Sequence, residues 1–282
     1  MKYVVITGAS TGIGLAGAGE LAAHGYHVFG SVRKDEDGKR VQSELGDSFT
    51  PLLFDVTDEA AVQAAAVEVA KVVGETGLAG LVNNAGIGVG GPLMHLPLDD
   101  VRYQFEVNVF GTLAVTQAFL PLLGARKNAP HPPGRIVNIS SVGGQVAAPF
   151  LGPYAASKHA LEALSHSLRR ELLLYGIDVI IIGPGAVSTP IWDKAAQQDA
   201  TRFAETDYSP MLARFQKGFV EGGKKDGLPV EVIGRAIREA LESSRPRTRY
   251  TFVRSRLRGW LVPRYLPDRW LDRLVGKQLG LL

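Results

Sequence analysis

Tyr154 and Lys158 stand four residues apart in a stretch with helical periodicity, so their side chains project from one face. A free phenol titrates near 10 and is a poor base at neutral pH. An ammonium one helical turn away favours phenolate and would make the tyrosine a usable proton carrier. Ser141, directly after a β-branched apolar run, can hydrogen-bond a substrate oxygen and stabilise charge developing there; its neighbour Ser140 competes for the role. Taken singly, such residues more often serve packing or solvation. Together they can move a proton to or from an oxygen while a nicotinamide moves a hydride.

The second chemical signal is Thr7-Gly8-Ala9-Ser10-Thr11-Gly12-Ile13-Gly14, between the first apolar run and a helical segment. Gly8 suits a tight turn, Gly12 lets backbone amides approach a pyrophosphate, and Gly14 lets the helix pack closely on a sheet. Ser10, Thr11 and Ile13 fall in the same phosphate-binding turn, and the helix start favours an anion. Sites that prefer NAD place an acid about 20 residues on, at the end of the second strand. Here that strand ends Gly30-Ser31-Val32-Arg33-Lys34, and two cations suit a 2′-phosphate. The expected cofactor is therefore NADP(H). In the competing reading, Arg33 and Lys34 only solvate a strand end and Asp35 takes the ribose.

These residues need a frame, and the chain supplies an alternation of short apolar runs with longer helical patterns. Strands are expected at Tyr3–Thr7, His27–Val32, Pro51–Phe54, Leu81–Val82, Arg135–Ile139, Asp178–Ile182 and Tyr250–Val253. Runs such as Val179-Ile180-Ile181-Ile182 suit strands buried on both faces. A helix over Ala60–Val73 has Thr57 and Asp58 to cap its first amides. Asn128–Gly134 and Gly222–Pro229 read as loops. The fold class expected is α/β: a Rossmann-type doubly wound, mostly parallel seven-stranded sheet with helices on both faces. A single domain would span 1–282, with a substrate lid at 188–229 and a C-terminal helical extension at 255–282.

Composition narrows the function classes. The 282 residues are 45% hydrophobic and 21% charged, an ordinary globular balance. No cysteine is present, which removes disulfides, thiolate catalysis and cysteine-held metals. The six histidines show no metal-site spacing, so no metal is expected. A net charge of +3 is too small to argue for nucleic acid. The first strand begins almost at Met1 and no run of about 20 uninterrupted apolar residues occurs, so a cytoplasmic protein without a transmembrane segment is expected.

With these motifs in place, residues 3 to about 192 resemble the short-chain dehydrogenase/reductase family. The matching features are Gly8, Gly12 and Gly14; Asp55-Val56; Asn83-Asn84-Ala85-Gly86; Asn108; Ser141, Tyr154 and Lys158; and Pro184-Gly185 with Thr189. The family's Ser-to-Tyr spacing selects Ser141 over Ser140. Within the family, Ser141-Val142-Gly143-Gly144 and Tyr154-Ala155-Ala156-Ser157-Lys158 look most like 17β-hydroxysteroid and retinol dehydrogenases. The resemblance implies that Asp55 bonds the adenine amino group and Val56 braces the ring. It implies that Asn83, Ala85 and Gly86 line the adenosine ribose and lie beneath the cofactor, and that Asn108 holds a water linking Lys158 to solvent. Lys158 would bind the nicotinamide ribose, and Val187 and Thr189 the carboxamide. It also implies a homodimer or homotetramer paired through the helices that follow Asn108 and contain Tyr154.

The residues expected around the nicotinamide are apolar: Val142, Val146, Ala147, Ala148, Pro149, Phe150, Ile191 and Trp192. A small lipophilic alcohol or carbonyl compound, steroid-like or retinoid-like, follows. Phe203, Met211, Leu212, Phe215 and Phe219 could cover such a ligand or simply pack the lid onto the body. Near the C-terminus Pro267 can open a helix whose Trp270, Leu271, Leu274 and Val275 form one stripe. That stripe could pack on its own protein or a subunit, or lie on a membrane surface beside its arginines. A silent NADP(H)-binding regulator on the same fold is the rival function, and dehydration or epimerisation a second.

Overall fold

The computed structural model describes residues 1–192, 200–255 and 257–282. Positions 193–199 of the expected lid and Arg256 in the extension lie outside the described residues. All seven expected strands are present within one or two residues of their expected ends: β1 Lys2–Ile6, β2 Tyr26–Val32, β3 Phe49–Leu53, β4 Gly80–Asn83, β5 Arg135–Ile139, β6 Asp178–Pro184 and β7 Arg249–Phe252. They form one sheet in the order β3-β2-β1-β4-β5-β6-β7, and every pairing is parallel. The order reverses between β1 and β4, which opens a crevice at the carboxyl ends of those strands. Pro51, which lacks a ladder donor, sits on the edge strand β3.

Helices cover both faces. On one, α1 (Gly12–Ala23) packs against α8 (Val230–Glu242) over Val4, Ile6, Val28, Ile180 and Ile182. That crossing is close because a Cβ on Gly234 would stand 2.9 Å from the Ala16 carbonyl oxygen. On the other face, α3 (Glu59–Val73) and α5 (Thr112–Phe119) bury Val62, Val69, Val115 and Phe119 against Val5, Leu81 and Ile136. Each such side chain removed from water contributes about 1.5–3 kcal/mol. Asp58 caps α3 by accepting from the Ala61 amide at 3.0 Å, as expected of it, whereas Thr57 bonds to Asp55. The remaining body helices are α2 (Asp35–Leu45), α4 (Leu98–Phe105) and α6 (Gly152–Glu171).

Helix α4 runs through a π-helical turn at Glu106–Gly111 into α5, giving one continuous helix from Leu98 to Leu123. By length and composition alone it could cross a membrane. Half of its apolar window is buried, and it packs against α3 and α6.

The expected loop at Gly222–Pro229 is corrected. Helix α7 (Ser209–Asp226) continues through Gly222 and Gly223. Gly223 is there for contact: a Cβ on it would meet the Trp192 ring at 2.4 Å. Only Gly227–Pro229 leaves the helix, and Leu228 pairs with Ala186 and Ser188. Beyond β7 lie α9 (Val262–Tyr265) and α10 (Asp268–Leu279), the latter starting directly after Pro267. Val275 and Leu279 join a third cluster with Leu96, Phe150, Phe203, Leu212 and Phe215. Trp270 and Leu274, on the other part of the expected stripe, are exposed.

Candidate active site

The glycine motif forms a cradle at the crevice. Gly8 and Gly12 adopt φ of +66° and +58°, a region that disfavours side chains. A Cβ on Gly14 would sit 2.2 Å from the Gly8 carbonyl oxygen, so only glycine lets α1 start this close to the turn. Thr11 is the N-cap of α1 but makes no side-chain cap bond, and the first turn holds no acid. The orphan amides there remain free for an anion. The turn is braced from β4: Asn84 Nδ2 donates to the carbonyls of Thr7 and Gly8 at 2.9 and 3.1 Å, while Thr7 Oγ1 accepts from the amides of Asn84 and Ala85. Sequence reasoning gave Asn84 no role, because its partners come from a different strand. Ser31 Oγ completes the brace by accepting from the Gly8 amide.

At the far end of this cradle Arg33 is exposed, with its guanidinium 3.8 Å from Asp55 Oδ2. Asp55 Oδ1 accepts from the amide and hydroxyl of Thr57, which orients the carboxylate. Lys34 turns to Glu36, 3.4 Å away. A third cation was not anticipated: Arg40 on α2 donates through Nη2 to the Ser10 carbonyl at 2.6 Å. Its distance from the motif in sequence hid it. The tight glycine turn, free helix amides and adjacent cations fit a phosphorylated dinucleotide.

Asn83 departs from its expected place. Its side chain is buried and donates to Thr116 Oγ1 and Asn138 Oδ1, so no more than its backbone can line a ribose. Ala85 and Gly86 follow on the loop. A Cβ on Gly86 would stand 3.2 Å from Asn108 Oδ1 and 3.7 Å from Lys158 Nζ, which keeps that space clear beside Lys158. From the other side, a Cβ on Gly12 would meet Thr189 at 3.3 Å, so the loop after β6 reaches over the glycine turn. Pro184 ends β6, the Gly185 amide donates to Phe252, and Val187 is buried in the core.

Ser141, Tyr154 and Lys158 converge as their spacing implied. The Ser141 hydroxyl faces Tyr154 and lowers the proton affinity of the phenol. The phenol ring lies against Gly143, where a Cβ would be 3.2 Å from Tyr154 Cε1. Ser141 Oγ also accepts from the Gly143 amide at 3.0 Å. The choice between the two serines is explained physically: Ser140 Oγ is buried and donates to Glu162. Lys158 Nζ donates to the Ile139 carbonyl at 2.8 Å and lies 6.0 Å from the centroid of the Tyr154 ring. Burial pushes the phenol up, and Ser141 pulls it part of the way back. Burial brings the Lys158 ammonium down to about 8, while the Glu162 carboxylate raises it. Without cofactor, burial outweighs Ser141 at the phenol, which suits Tyr154 to donating a proton.

Asn108 sits within the π-helical turn, a distortion often found at functional sites. Its side-chain amide closes on Ile87, accepting from its amide and donating to its carbonyl, and also donates to Ser157 Oγ. The Asn108 carbonyl also accepts from Thr112 Oγ1 at 3.1 Å.

Of the expected substrate residues, Val142 and Val146 are half-buried, while Ala148 and Ile191 are exposed. Phe150 is held at φ 64° and packs edge-on against Tyr208 and Phe215. Trp192 packs on Phe219 and donates its indole N–H to the Val187 carbonyl. A separate cavity of about 700 Å³ opens beside β7, lined by Gln145, Arg247, Tyr250, Trp260 and Tyr265 among others, and does not include Tyr154. Among the described residues no group of three or more His, Cys, Asp or Glu could hold a metal.

Comparison with known proteins agrees with this geometry. The short chain dehydrogenase family matches over residues 2–200. An NADPH-dependent 3-dehydrocapnine reductase from Ornithobacterium rhinotracheale is 43% identical, covering 99% of this chain and 98% of the relative. Mouse retinol dehydrogenase 5 is 33% identical over 97% of this chain and 87% of its own, in keeping with the kinship expected from the Ser141 and Tyr154 segments. A solved short-chain dehydrogenase from Streptomyces avermitilis superposes with a TM-score of 0.76 at 26% identity, covering 99% and 97% of the two chains. With a doubly wound parallel sheet, a glycine cradle at its switch point and a Ser-Tyr-Lys cluster beside it, this chain belongs to the short-chain dehydrogenase/reductase family of oxidoreductases.

Proposed function

We propose that the protein is an NADP(H)-dependent oxidoreductase that interconverts a lipophilic alcohol with its ketone or aldehyde, with Tyr154 as the acid–base residue. The observation that carries this reading is the convergence of Ser141, Tyr154 and Lys158: the phenol ring lies against Gly143, whose amide donates to Ser141 Oγ, and the buried Lys158 stands one turn further along α6. NADPH, when bound, supplies the hydride that goes to the carbonyl carbon. Ser141 holds the carbonyl oxygen and Tyr154 gives it a proton. Lys158 binds the nicotinamide ribose and carries positive charge toward the phenol. The Asn108 carbonyl holds a water through which the proton is replaced.

Gly8, Ser10, Thr11, Gly12, Ile13 and Gly14 receive the pyrophosphate, Arg33 with Lys34 the 2′-phosphate, and Asp55 with Val56 the adenine. Ala85, Gly86 and the Asn83 backbone line the adenosine side, and Pro184, Gly185, Val187 and Thr189 the nicotinamide side. The choice of NADP(H) rests on Arg33 and Arg40 beside the glycine turn, and the most similar reductase named above is NADPH-dependent.

A lipophilic carbonyl substrate is supported by Val142, Val146 and the aromatic cluster around Phe150, and by relatives named for 3-dehydrocapnine and retinol. NADPH oxidation, followed optically with all-trans-retinal, a 3-oxosteroid and 2-dodecanone, tests the reading. Turnover of at least one that Tyr154→Phe abolishes supports it, and a clear preference for NADH refutes the cofactor assignment. A cytoplasmic setting is part of this reading, and so is pairing through the helix that follows Asn108 and through α6, where Phe110 and Leu164 leave apolar surface exposed.

A peripheral membrane contact is a second proposal, carried by α10. Trp270 and Leu274 are exposed one turn apart, flanked by Arg269, Arg273 and Lys277. The stretch after Val253 contains seven Arg or Lys and two Asp in a chain whose net charge is only +3. Such a face suits an anionic lipid surface.

A further inference from the structure

Behind the catalytic serine lies an ion pair that the reaction scheme does not yet use. Glu162, on α6 one turn beyond Lys158, is 5% exposed. Its Oε1 accepts from Ser140 Oγ at 2.9 Å and from Arg249 Nη2 at 2.8 Å; its Oε2 accepts from Arg249 Nε at 3.1 Å and Gln145 Nε2 at 3.2 Å. Arg249, from the edge strand β7, also donates through Nη2 to the main-chain carbonyl of Ser141 at 3.2 Å. One carboxylate and one guanidinium thereby grip the strand end that carries Ser141 from both sides.

The surrounding chain is shaped for this pair. A Cβ on Gly144 would lie 2.8 Å from Glu162 Oε1, and one on Gly183 would lie 2.3 Å from Arg249 Nη2. Two glycines on different elements therefore leave room for the two charges. A buried ion pair is costly to desolvate, and apolar residues of similar size would often stabilise the fold as well or better. The bidentate geometry does supply fixed orientation.

We propose that Glu162 and Arg249 are positioning residues for the reaction, holding Ser141 against Tyr154 and setting the electrostatic surroundings of Lys158. The proposal rests on the reading of Tyr154 as the proton donor. The groups facing Lys158 make its second half concrete. Tyr154 approaches from α6, the uncharged Asn108 and Gly86 from the opposite side and the Ile139 carbonyl from β5, while Glu162, one turn on along α6, acts on the ammonium through its charge. Arg249 is bonded to Glu162 and is not among the groups that shift Lys158. Glu162 is thus the anion that raises the Lys158 ammonium against burial.

The test compares Glu162→Gln, Glu162→Asp, Arg249→Met and the double variant Glu162→Gln/Arg249→Met with wild type. Each is assayed with NADPH and the fastest-reduced carbonyl among all-trans-retinal, the 3-oxosteroid and 2-dodecanone. Thermal unfolding and NADPH affinity are measured alongside. For Glu162→Gln, kcat should fall about 10–100-fold through misplacement of the serine. NADPH affinity should stay within about twofold of wild type, as no phosphate contact is lost. The alkaline fall of kcat/KM should move to lower pH, because Lys158 loses its supporting anion. Glu162→Asp should restore the position of that fall and part of kcat. Arg249→Met should lower kcat without moving the fall downward.

A residue with only a structural role would not move the pH profile. Should the single neutral variant not fold, the double variant, which leaves no lone buried charge, carries the same readout. A folded double variant with wild-type kcat and an unchanged alkaline limb overturns the proposal. Full activity of Tyr154→Phe would instead overturn the parent reading, so the two failures are distinguishable.

Discussion

The Lys158 ammonium hydrogen-bonds the carbonyl oxygen of Ile139, 2.8 Å away at the end of β5, and Glu162 is the anion that supports its charge. The folded chain thus keeps a cation in a site where burial opposes it. Its folded value of about 8 lies below the 10.5 of an unperturbed lysine, so between these values the unfolded chain binds a proton that the folded chain lacks. On this account the Lys158 site destabilises the fold at neutral pH, and stability contributed by the site rises from about pH 8 to about pH 10.5. Lys158→Met should therefore raise stability by roughly 1–3 kcal/mol at pH 7, after the unpaired Ile139 carbonyl is counted, while abolishing turnover. Denaturant titrations at pH 7 and pH 9.5 check the sign: the advantage of the variant should shrink at the higher pH.

Tyr154→Phe keeps the ring packed against Gly143 but removes the proton donor. Turnover should fall roughly 1000-fold. NADPH affinity, measured by fluorescence titration, should change little because the glycine cradle is untouched. Retained turnover would refute the assigned role.

Arg33→Ala and Arg40→Ala test the adenosine end. Each should raise KM for NADPH by about tenfold or more, the weight of a lost charge-assisted bond, and leave KM for NADH nearly unchanged. Steady-state kinetics with both cofactors separate this from general damage. A parallel loss with NADH would mean that these arginines brace the turn and do not read the phosphate.

Gly14→Ala places a methyl 2.2 Å from the Gly8 carbonyl oxygen. The start of α1 must then move away from β1, at a cost of roughly 1–3 kcal/mol. Cofactor binding should fall with it, whereas Gly218→Ala on α7, where a Cβ meets nothing, should be benign. Melting curves with and without NADPH compare the two.

Trp270→Ser with Leu274→Ser removes the exposed apolar part of α10. Binding to vesicles containing phosphatidylserine should be lost in co-sedimentation, with solution activity toward the carbonyl panel preserved. Equal sedimentation of both proteins would rule out membrane contact through this face.

The amino-acid sequence by itself determined the strand-and-helix alternation, the apolar runs within β1 and β6, the glycine turn and the Ser141-Tyr154-Lys158 set. These were legible because their physics is local: strand burial shows as runs, helix faces as spacing, and a positive-φ turn as glycine. Tertiary structure decided what depends on residues brought from afar. It assigned Ser140 to Glu162, buried the Asn83 side chain between strands, and brought Arg40 onto the Ser10 carbonyl. It also kept α7 helical through Gly223, because the Trp192 ring occupies the space that local propensity would leave as a break. The electrostatics of the pair belong here as well: spacing along α6 puts a cation near Tyr154, but burial of both groups and the Glu162 carboxylate, set by the tertiary fold, shift their proton affinities.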